Sequence, residues 1–226
     1  GADLETAVGN GIDFMGRAVR YHLGVGEGEG AVHHLVDLRN RAGQPDAVEA
    51  VEEVVSDLVD ADASPLIPEV GTNVSCVPPF AERADEAAAV EGRITRVEDG
   101  VRPNRGARVG ASSHVARFLL AAREHDPGLR CAANCRYDDA VGEALEALDW
   151  TVAEFDREAQ PEAIEMDEGS TMAWGAERAF ESVEGTPAAV VDGGATGKEP
   201  MCRVIAPDAG TLSERLLTLL AAVESG

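Results

Sequence analysis

Lys198 is the one lysine among 19 Lys and Arg residues, in a chain that carries 42 acidic ones. It sits in Asp192-Gly193-Gly194-Ala195-Thr196-Gly197-Lys198-Glu199-Pro200. Glycines let backbone amides turn toward an anion, so an ammonium group in such a loop suits a phosphate or pyrophosphate. Asp192 or Glu199 can bring Mg2+ to the same anion. The loop is not a P-loop, because Lys198 is followed by Glu199 rather than Ser or Thr.

Three other stretches offer groups of the same kind. Gly110-Ala111-Ser112-Ser113-His114 reads as a glycine turn that opens a helix. The unpaired amides and the dipole of a helix start favour an anion. Ser112 and Ser113 add hydroxyl donors, and His114 can donate to the anion or act as an acid. Asn134 and Arg136 lie two apart at a strand end, so both face one way, and strand ends are where open α/β sheets hold ligands. In Glu168-Gly169-Ser170-Thr171-Met172-Ala173-Trp174-Gly175, Ser170 or Thr171 caps a helix. Trp174, one turn in, either stacks on a flat ring or packs in the core. Arg93, Arg102, Arg105 and Arg108 form a fourth set: guanidinium forks match phosphate oxygens, with ion pairing to surface carboxylates as their competing use.

The elements that must carry these residues follow from periodicity. Helices are expected over 3–23, 46–60 (opened by Pro45), 113–125, 139–148, 172–183 and 212–223. Strands are expected over 72–78, 129–136, 151–156, 188–192 and 202–206. A hairpin joins 93–96 to 101–103 across Glu98-Asp99-Gly100, a strong turn signal. Residues 39–44 read as a polar linker. The alternation argues a layered α/β domain, and the hairpin argues a mixed sheet.

Composition sets the boundaries of function. A net charge of −23 argues against nucleic acid, whose backbone needs positive contacts, and against an anionic membrane. No apolar run reaches the length of a membrane helix, about 18 residues. The surplus of Asp and Glu and the scarcity of lysine are expected of a salt-loving archaeon, because about 1 M salt shortens the Debye length to about 3 Å and screens self-repulsion. Cys76, Cys131, Cys135 and Cys202 include no Cys-x-x-Cys pair. Cys131 and Cys135 stand about 13 Å apart on one strand, too far for a disulfide or a shared zinc. Buried free thiols in a reducing cytoplasm are the expectation.

Taken in order, six segments resemble the ThiN class of archaeal thiamine-phosphate synthases. They are Ile67-Pro68-Glu69-Val70-Gly71-Thr72-Asn73, Gly92-Arg93-Ile94, Gly110 to Arg117, Asn134-Cys135-Arg136-Tyr137, Glu168 to Gly175, and Gly197-Lys198-Glu199-Pro200. The stretch from Leu23 to His34, behind a helix, is similar to the tail of hydroxymethylpyrimidine-phosphate kinases, to which this class is often fused. The resemblance implies residues 1–38 as a kinase-tail remnant, 39–63 as a linker and helix, and 64–226 as the synthase domain. It implies a three-layer α/β/α fold with a mixed, largely antiparallel sheet like the AraD-type aldolases. It also implies Arg93 and His114 as the catalytic pair. Phosphate and substrate contacts would come from Ser112, Ser113, Asn134, Arg136, Ser170, Met172, Trp174, Asp192, Gly193, Gly194, Lys198 and Glu199. The implied substrates are a pyrimidine diphosphate and a thiazole phosphate, with Mg2+ from the diphosphate chemistry and room for a homodimer. Two rivals remain: a regulator's sensor domain that binds thiamine phosphate without making it, and a sugar-phosphate aldolase, which needs a histidine trio.

Overall fold

The computed structural model describes residues 3–28, 30–160 and 168–226. In chain order its elements are α1 (Leu4–Arg20), α2 (Val36–Ala42), α3 (Gln44–Asp60), β1 (Val74–Cys76), β2 (Ala88–Val90), β3 (Ile94–Val97), β4 (Gly100–Pro103), β5 (Ala107–Val109), α4 (His114–His125), β6 (Cys131–Arg136), α5 (Asp139–Ala147), β7 (Val152–Glu154), α6 (Glu168–Glu181), β8 (Ala189–Asp192), β9 (Met201–Ala206) and α7 (Ala209–Ser225). Seven strands form one sheet in the order β5-β2-β1-β6-β9-β8-β7, while β3 and β4 pair apart as a hairpin. Among the described strands β7 and β8 run parallel and the other neighbouring pairs are antiparallel.

Strand alternation sorts the core into two layers. Cys131, Ala133 and Cys135 of β6 and Cys202, Val204 and Ala206 of β9 face one way, packing with Val51 and Val54 of α3, Val141 of α5 and Leu212 and Leu216 of α7. Ala132, Val190 and Ile205 face the other way, toward Phe118 and Leu119 of α4 and Ala176 of α6. The result is helices, sheet, helices, as expected. The helix anticipated before the domain is thus part of its core, with Ala47, Val51, Val54 and Leu58 of α3 buried.

Three expectations need correction. Residues 39–44 are not a linker: α2 runs to Ala42 and α3 starts at Gln44, and buried Asn40 accepts a hydrogen bond from the Phe80 amide (3.1 Å) and donates one to Glu86 (3.0 Å). The sheet also holds β2 and β5, each only three residues long. Finally, the cysteines are not four free thiols. Antiparallel register sets Cys76 opposite Cys131 and Cys135 opposite Cys202; the first pair is disulfide-bonded and the second is free and buried. Burial pushes the Cys135 thiol well above its ordinary value and that of Cys202 up to about 12, which leaves both protonated and inert. Thiol titration of the denatured, unreduced protein should therefore find two free thiols, and four after reduction.

The N-terminal helices are tied on through one carboxylate. Glu86 accepts hydrogen bonds from Arg17 of α1 (2.8 and 3.1 Å), from Asn40 of α2, and from the amides of Glu82 and Arg83 (2.9 and 3.2 Å). Burial alone would raise its pKa, but the bonds from Arg17 and the Glu82 amide outweigh that and hold it below the ordinary 4.5. A depressed carboxylate contributes stability above its unfolded pKa and loses it as pH falls through the folded one. Proteolysis across residues 20–43 should thus accelerate as pH drops below about 4.5, and Glu86→Gln should shrink the difference between pH 6 and pH 3. The opposite side of α1 is bare: Leu4, Val8, Ile12, Met15 and Val19 are 46–81% exposed at helical spacing.

Candidate functional site

A cavity of about 390 Å³ opens on the α4/α6 side of the sheet. Its lining joins residues from seven stretches of the chain, from Val70 to Arg203. Gly71, at φ +83°, brings its backbone against residues 93 and 94, where a Cβ would stand 2.9 Å from the Ile94 carbonyl. Its carbonyl then accepts from the Arg93 guanidinium (3.3 Å) and from the Asn134 amide (3.2 Å). Asn73 spans the gap to β2: its side chain donates to the carbonyls of Val90 (3.0 Å) and Gly92 (2.9 Å) and accepts from the Val90 amide (3.1 Å). Arg93 is therefore held from behind by two buried asparagines.

The helix start contributes next. Gly110, at φ +71°, ends β5 with its amide bonded to the Ala87 carbonyl (2.8 Å). The chain then enters α4 so that Ser112, His114 and Val115 all line the cavity. The first-turn amides of α4 have no intrahelical acceptor and carry the positive end of its dipole. Thr171 and Met172 reach in from α6, with the Thr171 hydroxyl accepting from Gln160 (2.8 Å).

The lysine loop closes one side. Residues 195–198 make a turn with both Ala195 and Lys198 amides and carbonyls exchanged (3.0 and 2.8 Å), and Gly197 takes φ +76°, as the third position of a type II turn requires. Glu199 anchors the loop: its carboxylate accepts from the Glu69 and Val70 amides (3.1 and 3.0 Å). Lys198 is left exposed on the cavity rim.

Beneath these lies a layer that the sequence reading missed. Arg203 of β9 sits opposite Asn134 in the sheet register and on the same face. It donates to Asp192 at 2.6 Å, and its guanidinium lies 5.2 and 5.8 Å from the Phe118 and Phe155 ring centres. Arg157 reaches the same Asp192 oxygen at 3.4 Å. Both arginines line the cavity. Burial lowers the Arg157 pKa from its ordinary value; Asp192 opposes the shift and Arg203 adds to it. Arg203 carried a readable signal, an ionised residue amid Met201-Cys202-Val204-Ile205 in a strand. Arg157 carried none.

Of the expected site residues, Arg93, Ser112, His114, Asn134, Met172, Lys198 and Glu199 meet in the cavity. Asp192 does not face it: fully buried, it is spent on Arg203, Arg157 and the Gly194 amide (3.0 Å). Gly193 is exposed, and Gly194 serves the turn, where a Cβ would meet the Lys198 carbonyl at 2.5 Å. Ser113 is the N-cap residue of α4 and lies outside the lining. Arg136 pairs with Asp138 at 3.2 Å beyond the strand end. Trp174 turns edge-on to Phe155 and borders a different hollow. The Ser170 side chain falls outside the described residues. Arg105 and Arg108 pair with Glu91 (3.4 and 3.1 Å), their competing use.

The aldolase rival finds no support among the described residues. His33 packs edge-on against Phe80 and His125 stacks on Phe180, so neither can join His114. No three His, Cys, Asp or Glu side chains converge as a metal site among those residues, and no described helix is long and apolar enough to cross a membrane.

Comparison with known proteins bears on the same region. The family model for thiamine-phosphate synthase ThiN matches residues 50–218. A curated thiamine-phosphate synthase ThiN of Methanothermobacter thermautotrophicus is 35% identical over 155 residues, covering 69% of this chain and 82% of that protein. The bifunctional thiamine biosynthesis protein ThiDN of Methanocaldococcus jannaschii is 37% identical over 145 residues, 64% of this chain but 33% of that longer protein. Among solved structures, the C-terminal domain of a phosphomethylpyrimidine kinase superposes with a TM-score of 0.74 at 31% identity, over 77% of this chain and 98% of that one.

Proposed function

This chain belongs to the thiamine-phosphate synthase ThiN family, and from that premise we propose that its cavity couples a hydroxymethylpyrimidine diphosphate to a thiazole phosphate. The protein is a transferase: the thiazole nitrogen attacks the pyrimidine methylene, the carbon–oxygen bond to the diphosphate breaks, and its electron pair leaves with pyrophosphate. The observation that carries this reading is the cavity's charge. A chain of net charge −23 directs Arg93, Arg157, Lys198, Arg203 and a helix start at one space.

Both substrates are anionic and the leaving group gains charge, so the work falls on positioning and on donors aimed at the departing oxygens. Arg93 clamps the pyrophosphate. His114, at the mouth of the helix start, gives it a hydrogen bond or a proton. Ser112 and Lys198 hold phosphate oxygens, and Met172 packs on a substrate ring. Mg2+ enters this proposal only as a companion of the diphosphate, because Asp192 and Glu199, the carboxylates at hand among the described residues, are already engaged; no step is assigned to it.

The test is turnover with both substrates. Equimolar thiamine phosphate and pyrophosphate are expected; binding of thiamine phosphate with no pyrophosphate release would replace this reading with the sensor. That rival is not favoured, since the Methanothermobacter relative is named a thiamine-phosphate synthase and Arg93 and His114 both line the cavity.

We take residues 1–38 as the tail of a fused kinase domain, supported by the bifunctional relative and by the bare apolar stripe of α1. We take the strand order as AraD-like, the setting as cytoplasmic, and the source as salt-loving. With so large a negative charge, the thermal midpoint should climb continuously from 0.1 to 2 M NaCl. A midpoint flat across that range would remove the halophilic reading.

A further inference from the structure

Two guanidinium groups share one carboxylate under the cavity. Asp192 is 0% exposed and Arg203 6% exposed, and the Arg157 side chain is 9% exposed. Buried charges are ordinarily neutralised, because an unpaired one is costly away from water. Among the described residues the charges do not balance: two cations meet one anion, leaving one positive charge over. The Arg157 Nε is buried and finds no hydrogen-bond acceptor among the described residues. Asp192 is already shared, its other oxygen taking the Gly194 amide (3.0 Å). Phe118 and Phe155 border Arg203, and the open side of the pair is the cavity itself.

A buried cation excess that opens onto a cavity is completed by an anion. Guanidinium groups present parallel donors that fit phosphate oxygens, and charge-assisted bonds are the strong ones. We propose that Arg157 and Arg203, set by Asp192, form a second anion subsite that takes a phosphate group. It is carried by β9 and the segment after β7 rather than by the α4 start. The synthase reading requires two such subsites, one for each phosphorylated substrate, and this inference rests on that reading for the identity of the ligand. Arg157 and Arg203 are then binding residues, and Asp192 is a positioning residue that acts through them.

Two variants test the subsite. Arg157→Gln removes the excess cation and leaves Asp192–Arg203 as a neutral pair. It should raise the KM of one of the two substrates roughly tenfold, about the weight of one charge-assisted contact, with the loss falling on KM rather than kcat. Which KM moves identifies the phosphate held there. Asp192→Asn does the reverse, leaving two guanidinium groups unpaired. Its thermal midpoint should fall, and inorganic phosphate should restore more of it than in the wild type, measured against chloride at equal ionic strength. Chloride controls for the general screening that any salt gives so acidic a protein.

Unchanged KM values for both substrates in Arg157→Gln would overturn the subsite. So would equal rescue of Asp192→Asn by chloride and phosphate, which would make the trio a structural ion cluster. Should Asp192→Asn fail to fold, the Arg157→Gln kinetics decide alone. Should the wild type make no thiamine phosphate, the phosphate titration still reads the subsite, so the two failures are separable.

Discussion

Arg93→Ala and His114→Ala are each expected to cut thiamine-phosphate formation by about 10²–10³-fold, the scale of losing one donor aimed at developing charge. Neither should unfold the protein. The Arg93 guanidinium donates to the Gly71 carbonyl at 3.3 Å, and Asn134 still donates to that carbonyl without it. His114 is exposed at the first position of α4, where alanine preserves the helix. The two losses should differ in kind. Arg93 faces charge already present on the bound diphosphate, so its removal should raise KM as well as lower kcat. His114 answers charge that builds as the bond breaks, so its removal should fall mainly on kcat. Single-turnover product formation with matched thermal midpoints measures both. Near-normal turnover in both variants would end the assignment of this pair.

What the sequence revealed and what it hid divide along one line, the range over which a residue's role is decided. The Gly110 turn, the serines behind it and His114 in the first helical turn are neighbours in the chain. Their joint use as an anion site is visible from local geometry. The lysine loop was legible for the same reason. Asp192 shows the limit: a carboxylate at a strand end beside glycines looks like a ligand, but its partner Arg203 stands on the next strand and Arg157 after another. Cross-strand register is non-local, so the reading that placed Asp192 in the cavity had no access to the two cations that consume it. The cysteines repeat the point. Spacing rightly excluded a Cys131–Cys135 bond, yet could not show that antiparallel pairing sets Cys76 beside Cys131. Trp174 fell the other way, since an aromatic one turn into a helix serves a core as readily as a ligand.

Asn73→Ala should be the most damaging single change to the framework of the site. Asn73 is 3% exposed, and its amide does the work of a missing strand. It gives both of its N–H groups to the Val90 and Gly92 carbonyls and takes the Val90 amide. Its own amide is claimed by Asn134 at 2.8 Å, so the two asparagines lock β1, β2, β6 and the approach to Arg93 together. Alanine leaves one donor and two acceptors unpaired. Each buried orphan costs about 1–3 kcal/mol, and water entering from the adjoining cavity offsets part of that. A net loss of about 3 kcal/mol is expected, which for a protein of this size lowers the thermal midpoint by roughly 6–12 °C. Activity should fall further than stability alone explains, because the Gly92 carbonyl that positions Arg93 loses its donor. Asn73→Asp separates the causes. Its carboxylate still accepts from the Val90 amide but faces two carbonyls without a proton to give, so at neutral pH it should be no more stable than alanine. A near-wild-type Asn73→Asp would show that the acceptor alone holds the site and that the two donated bonds contribute little.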